Sequence, residues 1–205
     1  IGGFNAVMTS DVLPGSGISS SASVEVLIGS ILNTLYNNDK ISNDNLAKIG
    51  QWAENNFFGK PCGLMDQMAC ALGGIISIDF QDNDSPKVEK VLFNFDAQNY
   101  KMLIVDSGSN HEDLTDDYAS VPKEMKSVAK VLGDNVLREI DEEVLIAKIP
   151  ILREKVGDRA ILRSLHFYEE NKRVDMQINA LRKNDFSSFL KLVNMSGNSS
   201  SKWLQ

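Results

Sequence analysis

Cysteine is scarce, with only Cys62 and Cys70 among 205 residues. Two are too few for a disulfide framework, and neither has the neighbours of a structural zinc site. A reduced, cytoplasmic setting is the simplest expectation. Basic residues are also outnumbered: 21 Lys and Arg stand against 28 Asp and Glu, a net charge of −7. No long basic run occurs, which argues against nucleic-acid binding through the phosphate backbone. No apolar run approaches the roughly 18 residues of a membrane span, and no signal-peptide pattern is visible. Internal repeats and low-complexity tracts are absent as well. Neither nucleic acid nor a membrane is therefore expected among its partners.

What remains is a chain of 42% apolar residues, enough for real cores. Phe4 to Thr9 reads as a strand feeding a Gly/Ser-rich loop. From about Ala22 to Asn37-Asn38, Val24, Leu27, Ile28, Ile31, Leu32 and Leu35 recur at helical spacing. Gly29 and Ser30 inside that helix mark close packing against a neighbour. Ser42 or Asn43 is placed to cap a second helix with Leu46, Ile49, Trp52 and Ala53 on its buried side. A third, short helix begins near Gly63 to Asp66 and ends at Gly73-Gly74. Ile75 to Phe80 and Val88 to Phe95 alternate like a hairpin, and Tyr100 to Asp106 reads as a more buried strand. Ser107 to Asn110 is a turn-rich crossing. Beyond it the pattern is almost wholly helical: 115–131, 142–148, 151–155, 158–183 and 185–193. Gly133 and Gly157 read as stops and Pro150 as a break. Asn194 to Ser201 reads as a helix-breaking loop.

The loop after the first strand, Leu13 to Ala22, is LPGSGISSSA. Gly15 and Gly17 permit positive φ and close approach to a ligand. Ser19, Ser20 and Ser21 place hydroxyls and unpaired N–H groups at a helix N-terminus, which suits a phosphate. It lacks the Lys of a Walker A loop and the third glycine of a dinucleotide fingerprint. By itself it reads equally as a flexible turn capped by serine.

A second stretch changes that balance. Residues 59–67 read GKPCGLMDQ. Together the two stretches match P-x-G-x-G-x-S-S-S-A and G-x-P-C-G-x-M-D-Q at every fixed position. The pair resembles the galactokinases of the GHMP small-molecule kinase family, and the resemblance fades gradually along the chain. It implies an ATP-dependent sugar 1-kinase that transfers the γ-phosphate of MgATP to the C1 hydroxyl of galactose. It also implies an α+β GHMP kinase-type two-domain fold, present here in part. Residues 1–108 would belong to the N-terminal, phosphate-binding domain, with a mixed sheet and helices, and 109–205 to a mainly helical C-terminal domain.

The resemblance assigns Pro14, Gly15, Ser16, Gly17, Ile18, Ser19, Ser20, Ser21 and Ala22 to the ATP phosphates. It assigns Asp66 to the catalytic base, and Gly63, Asp66 and Tyr118 to the sugar. Alone, Asp66 reads as a helix cap. A positioned carboxylate is nonetheless what a weakly nucleophilic sugar hydroxyl needs as it attacks phosphorus. Glu54, read alone, is a surface glutamate before Asn55 and Asn56; the resemblance pairs it with Ser21 as a Mg²⁺ ligand. Such an ion takes hard oxygen donors, keeps several waters and bridges phosphates. Tyr118 reads alone as a packed ring, and His111 as a hydrogen-bonded turn residue rather than a catalyst. Cys62 is expected to be packed and inert.

Two family motifs have no match: the early G-R-x-N-L-x-G-E-H-x-D-Y type segment and the later Gly-rich loop near the nucleotide. The chain also starts at Ile1 without Met. The expectation is the middle of a longer kinase, inactive as these residues alone. The missing sugar-grip residues leave open a related kinase for N-acetylgalactosamine or arabinose. They also leave open a sugar sensor without catalysis, although the whole SSSA motif favours catalysis.

Overall fold

The computed structural model describes residues 2–12, 17–60, 62–105 and 115–204. The turn 107–110, His111, and Leu13, Pro14, Gly15 and Ser16 of the loop lie outside the described residues. The chain divides into two compact units. The first holds the described residues up to Ile78, with Lys87–Lys90 and the segment from Leu103. The second holds Asp79–Pro86, Val91–Met102 and the helices that follow.

In the first unit α1 (Ser20–Asn37), α2 (Asn43–Trp52) and α3 (Met65–Leu72) pack on one another. Leu46 of α2 packs over Gly29, where a Cβ would lie at ordinary contact distance, 3.5 Å, from its methyl. Asn33 is buried yet satisfied, because its amide donates to the Ile41 carbonyl at 2.9 Å and accepts from the Ile41 N–H at 3.1 Å. That exchange clamps the turn between α1 and α2. Ala22, Val26, Leu46, Ala47, Leu64 and Met68 form the apolar interior. The helical pattern predicts Ile49 and Trp52 on the inner side of α2, but they face outward, at 49% and 64% exposure. Leu46, Ala47 and Gly50 are the residues of α2 that are buried, so its inner face is set by smaller side chains.

After Trp52 the helix widens into a π-helical turn, Ala53–Phe57, closed by Phe58 N–H on the Ala53 carbonyl at 3.1 Å. Inserted π turns re-aim side chains and recur at functional sites. Here the turn carries Glu54.

The sheet is smaller than the alternating segments predict. Among the described residues it has two strands, β1 (Ile75–Asp79) and β2 (Lys87–Val91). Phe4 to Thr9 forms no strand, and Met102, Leu103, Ile104 and Val105 are 60–83% exposed rather than buried. A strand is held by ladder hydrogen bonds to a neighbour, and neither segment has one among the described residues. Strand β2 stops at Val91, and the aromatic residues that follow turn to the helix beginning at Phe186: Phe93 stacks on Phe186, with ring centroids 5.6 Å apart.

The second unit is helical: α4 (Thr115–Leu132), α5 (Glu142–Ala147), α6 (Ile149–Val156), α7 (Asp158–Arg182) and α8 (Phe186–Ser199). Its core gathers Val128, Ala129, Leu145, Leu152, Ala160, Ile161 and Tyr168. The Tyr168 hydroxyl donates to the Ile140 carbonyl at 2.8 Å and lies 3.1 Å from that of Leu137. Burial pushes this phenol up to about 12. Gly157, at φ 83°, ends α6 and starts α7 as expected. Pro150 does not break the chain but opens α6, where its missing N–H has no helical partner to lose.

Asn194 to Ser201 is also helical rather than a loop: α8 runs to Ser199 and continues as a π-helical turn, Ser200–Leu204. Its serines are bonded to α7. Ser196 Oγ donates to a Glu170 carboxylate oxygen at 2.7 Å, and Ser199 Oγ lies 2.9 Å from His166 Nδ1. The hydroxyls that read as breakers are the ones that dock the helix. The fold is thus α+β of the expected kind, dominated by helix.

Candidate functional site

The site is built where the first turn of α1 meets the π turn after α2. Gly17 at φ 73° and Ser19 at φ 61° bend the chain into α1, the positive φ that the glycine allows and that serine adopts at a cost. Helical hydrogen bonding begins with Ser23 N–H on the Ser19 carbonyl at 3.1 Å. The first-turn N–H groups at Ser20, Ser21 and Ala22 therefore have no intrahelical acceptor. The first turn has no acidic side chain, so its partial positive charge is uncompensated from within the helix. Ser20 and Ser21 line an open cleft of about 770 Å³, with Met8, Ser10, Val12, Val24, Glu25, Glu54, Phe58 and Lys60. Ala22 is buried and can reach a ligand only through its N–H; Ile18 is partly exposed.

Glu54 is not the surface residue its neighbours suggest: it is 4% exposed. Its Oε1 accepts from Ser21 Oγ at 3.2 Å and from Lys60 Nζ at 2.7 Å. Its Oε2 accepts from the Gln67 amide at 2.9 Å, and the same amide donates to Glu25 Oε2 at 3.1 Å. Burial is the largest single influence on Glu54 and opposes its charge. The hydrogen bonds from Lys60, Cys62 and Ser21 and the Lys60 charge together outweigh it, holding the carboxyl below the ordinary glutamate value. Glu25 goes the other way, raised by burial and by the neighbouring Glu54 charge against the Gln67 bond. Burial pushes the Cys62 thiol up to about 11, so it is protonated and unreactive at neutral pH.

The loop bearing the second motif is held by backbone exchange. The Asn55 side chain accepts from Cys62 N–H at 2.7 Å and donates to its carbonyl at 3.3 Å, where Gln51 also donates at 3.3 Å. Lys60 N–H bonds the Glu54 carbonyl at 3.0 Å. Gly50 gives the network room, since a Cβ there would sit 3.4 Å from both Glu25 and Gln67.

Asp66 lies in the first turn of α3, half-buried, next to Gln67, and does not line the cleft. Gly63 is exposed at the start of that turn. Tyr118 is on α4 in the second unit, 62% exposed. The structure thus brings Ser20, Ser21 and Glu54 together at one cleft. It also adds Glu25, Lys60 and Gln67, to which the sequence reading gives no role. Glu25 carried a readable signal: it lies one helical turn beyond Ser21, on the same face. Gln67 closes the second motif.

Ser21 and Glu54 form a pair of hard oxygen donors at the mouth of the cleft, the donor chemistry of Mg²⁺. No group of three or more His, Cys, Asp or Glu residues able to hold a metal occurs among the described residues. A cation here would thus draw its remaining ligands from water and phosphate, as Mg²⁺ does when bound with a nucleotide. The donor set fits.

Comparison with known proteins bears on the whole chain. The family model of the GHMP kinases N terminal domain matches residues 2–74. The chain is 36% identical over 188 residues to a galactokinase of Glaesserella parasuis serovar 5, covering 90% of this chain and 47% of that protein. It is 31% identical over 198 residues to a galactokinase of Limosilactobacillus reuteri, covering 95% and 49% respectively. The crystal structure of Lactococcus lactis galactokinase complexed with galactose superposes with a TM-score of 0.70 at 25% identity, over 95% of this chain and 50% of that one. The chain spans about half the length of the curated relatives it matches. The resemblance to galactokinases carried by the two motifs therefore holds in sequence and in fold. No described helix is long and apolar enough to cross a membrane.

Proposed function

We propose that this chain is part of a galactokinase-type member of the GHMP kinases, transferring the γ-phosphate of MgATP to the C1 hydroxyl of galactose. The observation that carries the reading is Ser21 Oγ meeting Glu54 Oε1 at 3.2 Å beside a helix N-terminus. In this reading residues 1–108 belong to the N-terminal domain of the kinase and 109–205 to its C-terminal domain. The two free cysteines support a cytoplasmic location.

The phosphates of ATP rest on the N–H groups and hydroxyls of Ser19, Ser20 and Ser21, with Ile18, Ala22 and the loop Pro14 to Gly17 completing the cradle. Ser21 and Glu54 would hold Mg²⁺, which would supply charge neutralisation at the phosphates. The lowered pKa of Glu54 keeps it ionised and ready for a cation across the neutral range. Asp66 holds the sugar hydroxyl in line and takes its proton as the oxygen attacks the γ-phosphorus. Most of the acceleration in such a reaction comes from positioning and charge neutralisation. Gly63 and Tyr118 contact the sugar, the first through backbone approach and the second through its hydroxyl.

The test is a sugar panel with coupled ADP detection on the full-length protein. Galactose is expected to be turned over in preference to N-acetylgalactosamine and arabinose. Turnover of another panel sugar in preference would move the substrate assignment. Sugar binding without ADP release would make the protein a sensor.

A further inference from the structure

The second motif contains one charged residue that the proposed chemistry does not use. It is Lys60, at the variable position between Gly59 and Pro61. Its side chain is 65% exposed, yet its ammonium reaches Glu54 Oε1 at 2.7 Å, while the Glu54 side chain is 5% exposed. The other carboxylate oxygen, Oε2, is committed to the Gln67 amide. Oε1 is the oxygen that Ser21 and Lys60 share. A cation bound between Ser21 Oγ and Glu54 Oε1 and the Lys60 ammonium claim the same place.

The two claims are unequal. A pair with one partner mostly in solvent is weakly held, and a divalent ion brings twice the charge to the same carboxylate. Displaced, Lys60 does not leave the site. Its N–H stays bonded to the Glu54 carbonyl at 3.0 Å, and its side chain lines the cleft beside Ser20 and Ser21. What it would meet there is the phosphate chain of the nucleotide, and Lys binds phosphate as a point charge.

We propose that Lys60 is an exchangeable counter-ion, which neutralises Glu54 until a nucleotide-bound cation takes Oε1 and then pairs with the nucleotide's phosphates. This rests on Ser21 and Glu54 being the cation seat. The exchange makes the site selective: a free cation must expel Lys60 without compensation, whereas a cation carrying phosphates supplies Lys60 with a new partner.

Two affinities of opposite sign test it in the full-length protein. Free Mn²⁺ is titrated by electron paramagnetic resonance, and MgATP by calorimetry, in wild type, Lys60→Met and Glu54→Gln. Loss of one charge-assisted pair corresponds to about tenfold in affinity. Lys60→Met is expected to bind free Mn²⁺ about tenfold more tightly and MgATP about tenfold more weakly, with Glu54→Gln abolishing specific Mn²⁺ binding. Ser21→Ala serves in place of Glu54→Gln if the latter fails to fold. Mn²⁺ affinity no higher in Lys60→Met, with Glu54 still required for binding, overturns the exchange and leaves the cation seat standing. Mn²⁺ binding indifferent to both Glu54 and Ser21 overturns the seat and the exchange together.

Discussion

Ser21 Oγ donates to Glu54 Oε1 at 3.2 Å, joining the first turn of α1 to the π turn that follows α2. The carboxylate is buried, and its other oxygen is fixed by Gln67. Replacing Glu54 by Gln keeps the shape and removes the charge. MgATP affinity is then expected to lose its dependence on Mg²⁺ concentration, while unfolding free energy falls by about 1–3 kcal/mol as the charge-assisted bonds weaken. Calorimetry and denaturant titration read the two effects separately.

Glu54 and Glu25 have opposite pH signatures. Glu54 is depressed in the folded state, so its stabilisation is present above the unfolded value near 4.5 and is lost as pH falls through the lower folded value. Glu25 is raised, so its contribution is complete below the unfolded value and is lost as pH rises through the folded one. Thermal melts from pH 3 to pH 7 are therefore expected to respond in opposite directions. Glu25→Gln should raise the melting temperature at neutral pH relative to acid, and Glu54→Gln should flatten the acid-side loss. The same slope in both variants would contradict the assignment.

In the second unit Tyr168 is expected to be worth its hydroxyl. Tyr168→Phe leaves the ring in place and strips the Leu137 and Ile140 carbonyls of their donor, a loss of about 1–3 kcal/mol. Leu152→Ala, at a position with no exposure, removes core volume and should cost about 2–5 kcal/mol. Urea unfolding of the full-length protein checks both.

How much of this was legible depends on what kind of signal each residue carried. The helices of the second unit follow from apolar period and glycine stops, and the observed ends differ from the expected ones by a residue or two in most cases. The Gly17 bend was readable because its backbone need is local, whereas α1 starts at Ser20, two residues before the expected Ala22, with no side-chain cap from Ser19. Glu54 was not readable as a buried residue. Its neighbours Asn55 and Asn56 are polar, and a π turn leaves no hydrophobic period to mark which side faces in. Its burial is set by Lys60, Gln67 and Ser21, partners brought by three different elements. The expected strand at Tyr100 to Asp106 went wrong for the complementary reason: an apolar run specifies willingness to be buried, and pairing requires a neighbour.

Asp66 carries the central claim, since it is the residue asked to take the acceptor's proton. The direct measurement compares galactose 1-phosphate formation and MgATP binding in full-length wild type and Asp66→Asn. The amide cannot take the proton, so turnover is expected to fall by about a hundredfold to ten-thousandfold, with MgATP affinity unchanged because Asp66 does not line the phosphate cleft. Turnover within a few-fold of wild type, or the absence of galactose 1-phosphate from the wild-type reaction, would contradict the account.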